Sequence, residues 1–347
     1  MKKILSISLS IIVLVSLIGC STNKSYHYKA GSQIREVIPL QYDFACRFNE
    51  GLAYVELNDK YGFIDKKGNE IIPLQYDRAF DFNEGLALVG RNDKYGFIDK
   101  KGKEIIPFQY DDVGIFNEGL AVFVMNGKFG FIDKKGKETI PLQYDYAKSF
   151  NEGLAAVKLN DKWGCIDKNG NEVIPIKYDY ATGFLSEGLT AVELNNKMYL
   201  IDKKGKEVTK LNRVYDKVYE FNEGIAPVRE RVNRDWGYID RKGKEVIPLK
   251  QYDYVTTFSE GLAAVELNGK YGFIDKNGKE IIPLQYDAAE SFNEGLAAVK
   301  LNGKFGFIDK KGKEIIPLQY DGTSSFNEGL AAVGMNGKWG FISYLPN

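Results

Sequence analysis

Acidic side chains recur along this chain at spacings that invite a catalytic reading. Glu50, Glu84, Glu118 and their successors stand in Asn-Glu-Gly or, twice, Ser-Glu-Gly settings, a few residues after aspartates of Tyr-Asp pairs such as Asp43, Asp77 and Asp111. Paired carboxylates can hydrolyse glycosides. That chemistry needs two acids in different environments, whereas these pairs return in near-identical surroundings. Hydrogen bonding of the connecting segments is the better reading, with the glycine taking a conformation that other residues resist. Asp65-Lys66-Lys67-Gly68-Asn69-Glu70 has the terminal acids and central glycine of a calcium loop, but lysines stand where oxygen ligands are required, so it reads as a hairpin turn. A single histidine, His27, between Tyr26 and Tyr28, removes most metal and nucleophile–base schemes. No catalytic residue, metal site or cofactor is assigned, and the expectation is that the protein is not an enzyme. Trp163, Trp236 and Trp339, with Tyr76 and Tyr286, are ligand-contact candidates because their rings could stack on sugars, against the alternative of core packing. The 47 basic and 47 acidic residues of the 347-residue chain suggest no nucleic-acid groove.

The elements that would position these residues follow from a repeat. Tyr61-Gly62-Phe63-Ile64-Asp65 returns at Tyr95, Phe129, Trp163, Met198, Trp236, Tyr271, Phe305 and Trp339, at steps of 34 residues that lengthen to 35, 38 and 35 only around the middle. Two further blocks recur with it, Glu70-Ile71-Ile72-Pro73-Leu74-Gln75-Tyr76-Asp77 and Phe82-Asn83-Glu84-Gly85-Leu86-Ala87. Leu296 to Leu301 is a short apolar run suited to a strand, Asn302-Gly303 is a type I′ hairpin signal, and Phe305 to Asp309 is the second strand. Asp309 to Lys313 fits a type I turn closed by a left-handed glycine. The chain then returns as Glu314-Ile315-Ile316, and Pro317 ends the ladder or marks an edge. Connector aromatics such as Tyr320 and Phe326 plug the gap between sheets.

A 34-residue meander buries too little surface to stand alone, so its stability comes from neighbours. The expected fold is therefore all-β, with tandem three-stranded meanders over residues 34–343 and a tail at 344–347. An open β-superhelix is favoured because nine units exceed the usual range of roughly 4 to 8 propeller blades. A closed propeller-like ring is the alternative: the chain starts on a third strand, Glu36–Pro39, and stops on a second, Trp339–Ser343, so its two ends could complete one meander.

Residues 1–19 have the layout of a secretory signal, with Lys2 and Lys3 before an apolar stretch from Ile4 to Ile18. The junction Leu17-Ile18-Gly19-Cys20 resembles the lipobox of bacterial lipoproteins, which implies cleavage before Cys20 and lipidation of its thiol. Two or more acyl chains hold a protein on a bilayer stably where one does not. Cleavage removes Lys2 and Lys3 and no acid, so the mature chain stays near neutral and the lipid must supply attachment. Residues 20–33 are then the lipidated cysteine and its tether, and the location is the cell envelope: the outer membrane or the outer face of the cytoplasmic membrane. Cys46 and Cys165 occupy different offsets in the repeats and are expected to be free thiols; Cys165 replaces a phenylalanine.

The repeat resembles the WG-repeat family of bacterial proteins, also called KWG repeats, through Lys162-Trp163-Gly164, Lys338-Trp339-Gly340 and the Tyr-Gly and Phe-Gly variants over roughly residues 34 to 343. It departs from the pattern at Met198-Tyr199, which lacks the glycine, and at Val208-Thr209-Lys210, which lacks the proline. The resulting expectation is a membrane-anchored surface lipoprotein whose repeats form a non-catalytic, multivalent module for protein interaction or scaffolding. Binding of cell-wall or envelope glycans is the first alternative. A hydrolase with one site in the irregular stretch 188–248 is the second.

Overall fold

The computed structural model describes residues 34–185, 187–250 and 252–345; the signal at 1–19, Cys20 and the tether up to residue 33, with His27, lie outside the described residues. The first repeat sets the pattern. Strand β1 runs Ile34–Tyr42, β2 Phe44–Ala45, β3 Leu52–Leu57, β4 Lys60–Asp65 and β5 Glu70–Tyr76. Strands β2 to β5 form one antiparallel sheet in chain order, and this four-stranded unit occurs nine times among the described residues. The sequence reading of three strands per unit missed the first one because it is as short as two residues and lies inside the connector.

Turn chemistry makes the meander. Asn58 and Asp59 both take positive φ, 53° and 59°, which closes the β3–β4 hairpin as a type I′ turn. At the next turn Gly68 donates to the Asp65 carbonyl at 2.9 Å with φ of 84°. The Asp65 carboxylate accepts the Lys67 and Asn69 backbone N–H groups, each at 2.9 Å. The acid of the calcium-like segment is thus spent on its own turn.

The proline does not end the third strand. Phe63 pairs with Ile72, but Tyr61 pairs with Tyr76, so β5 carries extra residues in a bulge at Pro73 and continues beyond it. The bulge passes directly over Gly62, where a Cβ would come within 2.5 Å of the Ile72 carbonyl oxygen. That contact explains the glycine after the aromatic. The one unit with Tyr199 at this position also lacks the proline, and its third strand, Glu207–Lys210, pairs Leu200 with Thr209 and Tyr199 with Lys210 without the jump.

Each sheet packs one face on the next sheet. Phe63 of the first unit meets Phe82 of the second with centroids 4.8 Å apart, and both are buried within one cluster that spans the two sheets. Tyr320 and Phe326 occupy the equivalent gap between the last two sheets. Burying one such ring contributes about 2 kcal/mol, so cohesion resides between units.

The array closes, which corrects the preference for an open superhelix. β1 pairs antiparallel with the final strand, Lys338–Tyr344, and completes the ninth sheet from the opposite end of the chain. Tyr344 is therefore part of the ladder, opposite Ile34, rather than tail. The junction between the ninth and first sheets has the same furniture as the others: Phe341 meets Phe48 at 4.8 Å, and Asn327 donates to the Phe48 carbonyl at 2.7 Å. Asn49 makes the matching bond to the Phe82 carbonyl at 2.8 Å. An open array would leave the apolar faces of its end sheets to water. The fold is a nine-bladed β-propeller, with blade 1 holding β2–β5 and blade 9 holding the final strand and β1.

Candidate functional site

The two ends of the blades form two faces of the ring. One carries the type I′ turns such as Asn58–Asp59; the other carries the Asn-Glu-Gly corners such as Asn49–Gly51 and the turns after Asp65. We call them the hairpin face and the corner face. The recurring acids divide between them.

On the corner face each glutamate reaches to the following blade. Glu84 accepts the Gly119 N–H at 2.9 Å and lies 3.0 Å from the Lys134 ammonium. Burial works to raise its pKa, but Lys134 and the Gly119 N–H outweigh it and hold the carboxyl below the usual range. The series closes on itself, since Glu328 accepts the Gly51 N–H at 3.1 Å and pairs with Lys66 at 3.0 Å. Glu294 accepts the Gly329 N–H, but Tyr344 stands where its lysine would be. The glutamate itself takes positive φ, 51° at Glu50, followed by Gly51 at 86°, so the strained pair aims the carboxylate across the junction.

On the hairpin face the aspartates do a different job. Asp77 receives the Lys60 ammonium of the preceding blade at 2.5 Å and the Asn92 N–H of its own hairpin at 2.8 Å. Lys60, then the Asn92 N–H, hold its carboxyl below the ordinary range. The two acids of the glycosidase reading therefore serve different contacts at opposite ends of the blade.

The irregular stretch 188–248 replaces these lysine contacts with arginine forks. Arg229 grips Asp216 through two bonds of 2.9 and 2.6 Å and lies over the Trp236 ring at 5.4 Å. Arg231 grips Glu193, and Arg213 bridges Glu230 and Glu245. Glu223 makes the standard corner contacts, to the Gly261 N–H and to Lys276.

Four of the five proposed ligand-contact rings are interior: Trp163, Trp236, Tyr76 and Tyr286 expose 9%, 2%, 2% and 5%. Their faces pack on neighbours, as where Tyr219 stacks on Trp236 at 5.6 Å and 17°. Trp339 is half-buried, its ring lying over Gly322 and Gly334, where a Cβ would come within 2.7 and 2.8 Å. Cys46 and Cys165 are free thiols, and full burial pushes Cys165 up to about 12.

The departures legible in the sequence, in the middle of the chain, did not include the varied positions of the hairpin face. The corner face is built from near-invariant Asn-Glu-Gly and Asp-Lys-Lys-Gly segments, but on the hairpin face the first residue of each blade changes chemistry: Phe44, Arg78, Asp112, Tyr146, Ala288 and Gly322 are equivalents. Its cross-strand partner changes with it, from Glu56 to Gly90, Val124 and Lys158. Directly opposed residues project from the same side of a sheet, so Phe44, Glu56 and Tyr61 form one rung at the mouth of a junction. The signal was present as positions that vary while everything around them repeats.

The rung of blade 1 opens into a cleft of about 500 Å³ against blade 2, lined by Phe44, Tyr54, Glu56 and Tyr61 on one side and by Asp77, Arg78, Ala79 and Phe80 on the other. Tyr54 touches both Phe44 and Tyr61, at 6.1 and 6.2 Å. Burial, then its bond to Glu56, pushes the Tyr61 hydroxyl up to about 12. Arg78 also walls a second cleft of about 230 Å³ with Arg91, Lys94 and Tyr95.

The chain matches one family model and is similar in fold to a solved structure. The family model described as "WG containing repeat" matches nine consecutive segments, 35–61, 61–95, 95–129, 129–163, 163–197, 200–231, 236–271, 271–305 and 305–339. A solved structure titled as a eukaryotic initiation factor is similar in fold at a TM-score of 0.59 and 12% identity, covering 89% of this chain and 91% of that one. A streptogramin B lyase structure aligns at a TM-score of 0.36 and 14% identity over 90% of this chain and 97% of its own. The comparison with curated proteins found no match. With nine family repeats tiling residues 35–339, this chain belongs to the WG containing repeat family.

Proposed function

We propose that the protein is a lipid-anchored protein of the bacterial cell envelope whose ring is a non-catalytic, multivalent scaffold for other proteins. The observation that carries this reading is the division between a uniform face and a varied one. Residues needed only for packing repeat from blade to blade, whereas a surface that must recognise something is free to diversify. Ile34 pairs with Tyr344 at the corner-face end of blade 9. A tether acylated at Cys20 would join the ring at this end, beside the uniform face. Tyrosine, which recurs among the varied residues at 146, 180 and 254, is one of the side chains that dominate protein interface energetics.

A second reading, binding of envelope glycans, draws on three equivalent tyrosines of the varied face. Tyr146, Tyr180 and Tyr254 expose 44%, 37% and 41% of their surface. Trp163 sits between the first two at 5.7 and 6.4 Å, so the exposed rings are within about 12 Å of each other along one arc.

The reading is tested in intact cells by a photo-crosslinking amino acid placed at Tyr254 on the varied face or at Lys101 on the corner face. Discrete protein adducts from position 254 and none from 101 are expected. Adducts from 101 alone would reverse the assigned faces, and retention of the ring on purified cell wall without protein adducts would favour the glycan reading. Radiolabelled palmitate should enter the wild type and not Cys20→Ala.

A further inference from the structure

The varied face names one ligand chemistry at one place. We propose that the cleft between blades 1 and 2 receives a short peptide segment of a partner protein in which a carboxylate side chain adjoins an aromatic or large apolar one, the carboxylate meeting Arg78. This rests on the binding reading above and specifies it.

Charge narrows the ligand first. The acids around the cleft have neighbours of their own: Asp77 is paired with Lys60, and Glu56 stands directly opposite Tyr61. Arg78 has no carboxylate within ion-pair distance among the described residues, although it stands at the wall shared by both clefts. Arginine occurs at this rung position in one blade only. A guanidinium takes a carboxylate through two parallel bonds, which gives both strength and orientation.

The apolar half of the site is also uncommon among the blades. Tyr54 occupies a position that is alanine in most copies, including Ala156, Ala264 and Ala298, and Phe80 stands where other blades have Gly114, Thr182 or Ser324, with a second aromatic only at Tyr219, which is stacked on Trp236. Phe80 is 38% exposed. Phe44 and Tyr54 on one side and Phe80 on the other line the cleft of about 500 Å³ with aromatic surface, and the Glu56 carboxylate can accept from backbone N–H groups of the segment. Arginine beside tyrosine in a partly desolvated cleft is the composition of a protein-binding hot spot.

The test is titration of the full, isotope-labelled chain with N-acetyl-Phe-Asp-amide, N-acetyl-Phe-Asn-amide and glucuronate, followed by backbone amide resonances. The aspartyl peptide should shift amides of residues 44–61 and 77–80, and the asparaginyl peptide should bind about tenfold more weakly, the loss of one charge-assisted contact. Arg78→Gln, an exposed substitution whose spectrum should otherwise superimpose, should lose the preference, and Phe80→Ala should weaken both peptides. Equal binding of the two peptides, unchanged preference in Arg78→Gln, or no shift in the cleft would overturn the proposal. Glucuronate binding as tightly as the aspartyl peptide would overturn the peptide assignment in favour of an acidic glycan. Crosslinking from Tyr254 reads the general binding role separately, so adducts there with a silent cleft would sink this inference alone.

Discussion

The junction between blades 1 and 2 and the junction between blades 5 and 6 solve one problem with different chemistry. The regular junction has an exposed lysine on an aspartate, Lys60 on Asp77, and a phenylalanine pair, Phe63 with Phe82. The irregular one has Met198 and Leu200 against Phe221 and Arg231 reaching across to Glu193, while the hairpin-face aspartate, Asp216, is gripped from within its own blade by Arg229, with side-chain exposures of only 22% and 14%. Where extra residues break the period, flexible lysine contacts can no longer keep their spacing, and planar guanidinium forks lock the altered path. The regular blades are thus held mainly by shape and the irregular ones by a polar network.

The largest expected effect comes from removing what both regions depend on. Deleting residues 34–42 strips blade 9 of its fourth strand and uncovers the clusters on either side of it; the cooperative denaturant transition should be lost or shifted to much lower denaturant. Next, Gly62→Ala should destabilise by about 3 kcal/mol, because its Cβ would meet backbone that cannot yield. Tyr199→Ala, at the equivalent position of the blade without the bulge, should cost less than half as much; equal losses would refute the account of the glycine. Arg229→Leu should then cost about 2 kcal/mol by leaving Asp216 without its fork, while Lys60→Met should leave the transition midpoint unchanged within error. A small effect is also expected on the pH dependence. Glu84, Glu152 and Glu223 have carboxyls held below the ordinary glutamate range by lysines and backbone N–H groups that outweigh their burial. Their contribution is present above the unfolded glutamate value and is lost as pH falls through the lower folded value. Glu84→Gln should therefore flatten the acid limb of a stability profile and leave the neutral part nearly parallel.

Most of the ring was legible because local chemistry dictates it. Asn58-Asp59, Asn302-Gly303 and the glycine turns after Asp65 specify hairpins from neighbouring residues alone, and the repeat specifies the stacking. What escaped depends on residues far apart in the chain. The two-residue first strand has too little sequence for a pattern, the bulge at Pro73 is intelligible only with Gly62 beneath it, and closure is decided by Glu36 finding Ile342. The site was less legible still. Trp163 and Trp236 drew attention as aromatics but are interior, whereas Arg78 and Phe80 are unremarkable until the fold places them beside Phe44 and Tyr54.

The account stands on closure of the ring through β1. Nitroxide labels at Arg35 and Ser343, in a background with the other cysteines replaced, would sit on directly paired residues, with Cα atoms roughly 5 Å apart. Strong dipolar broadening in the frozen spectrum of the monomer is predicted. A spectrum equal to the sum of the two single-label spectra would place the chain ends apart and contradict the closed propeller.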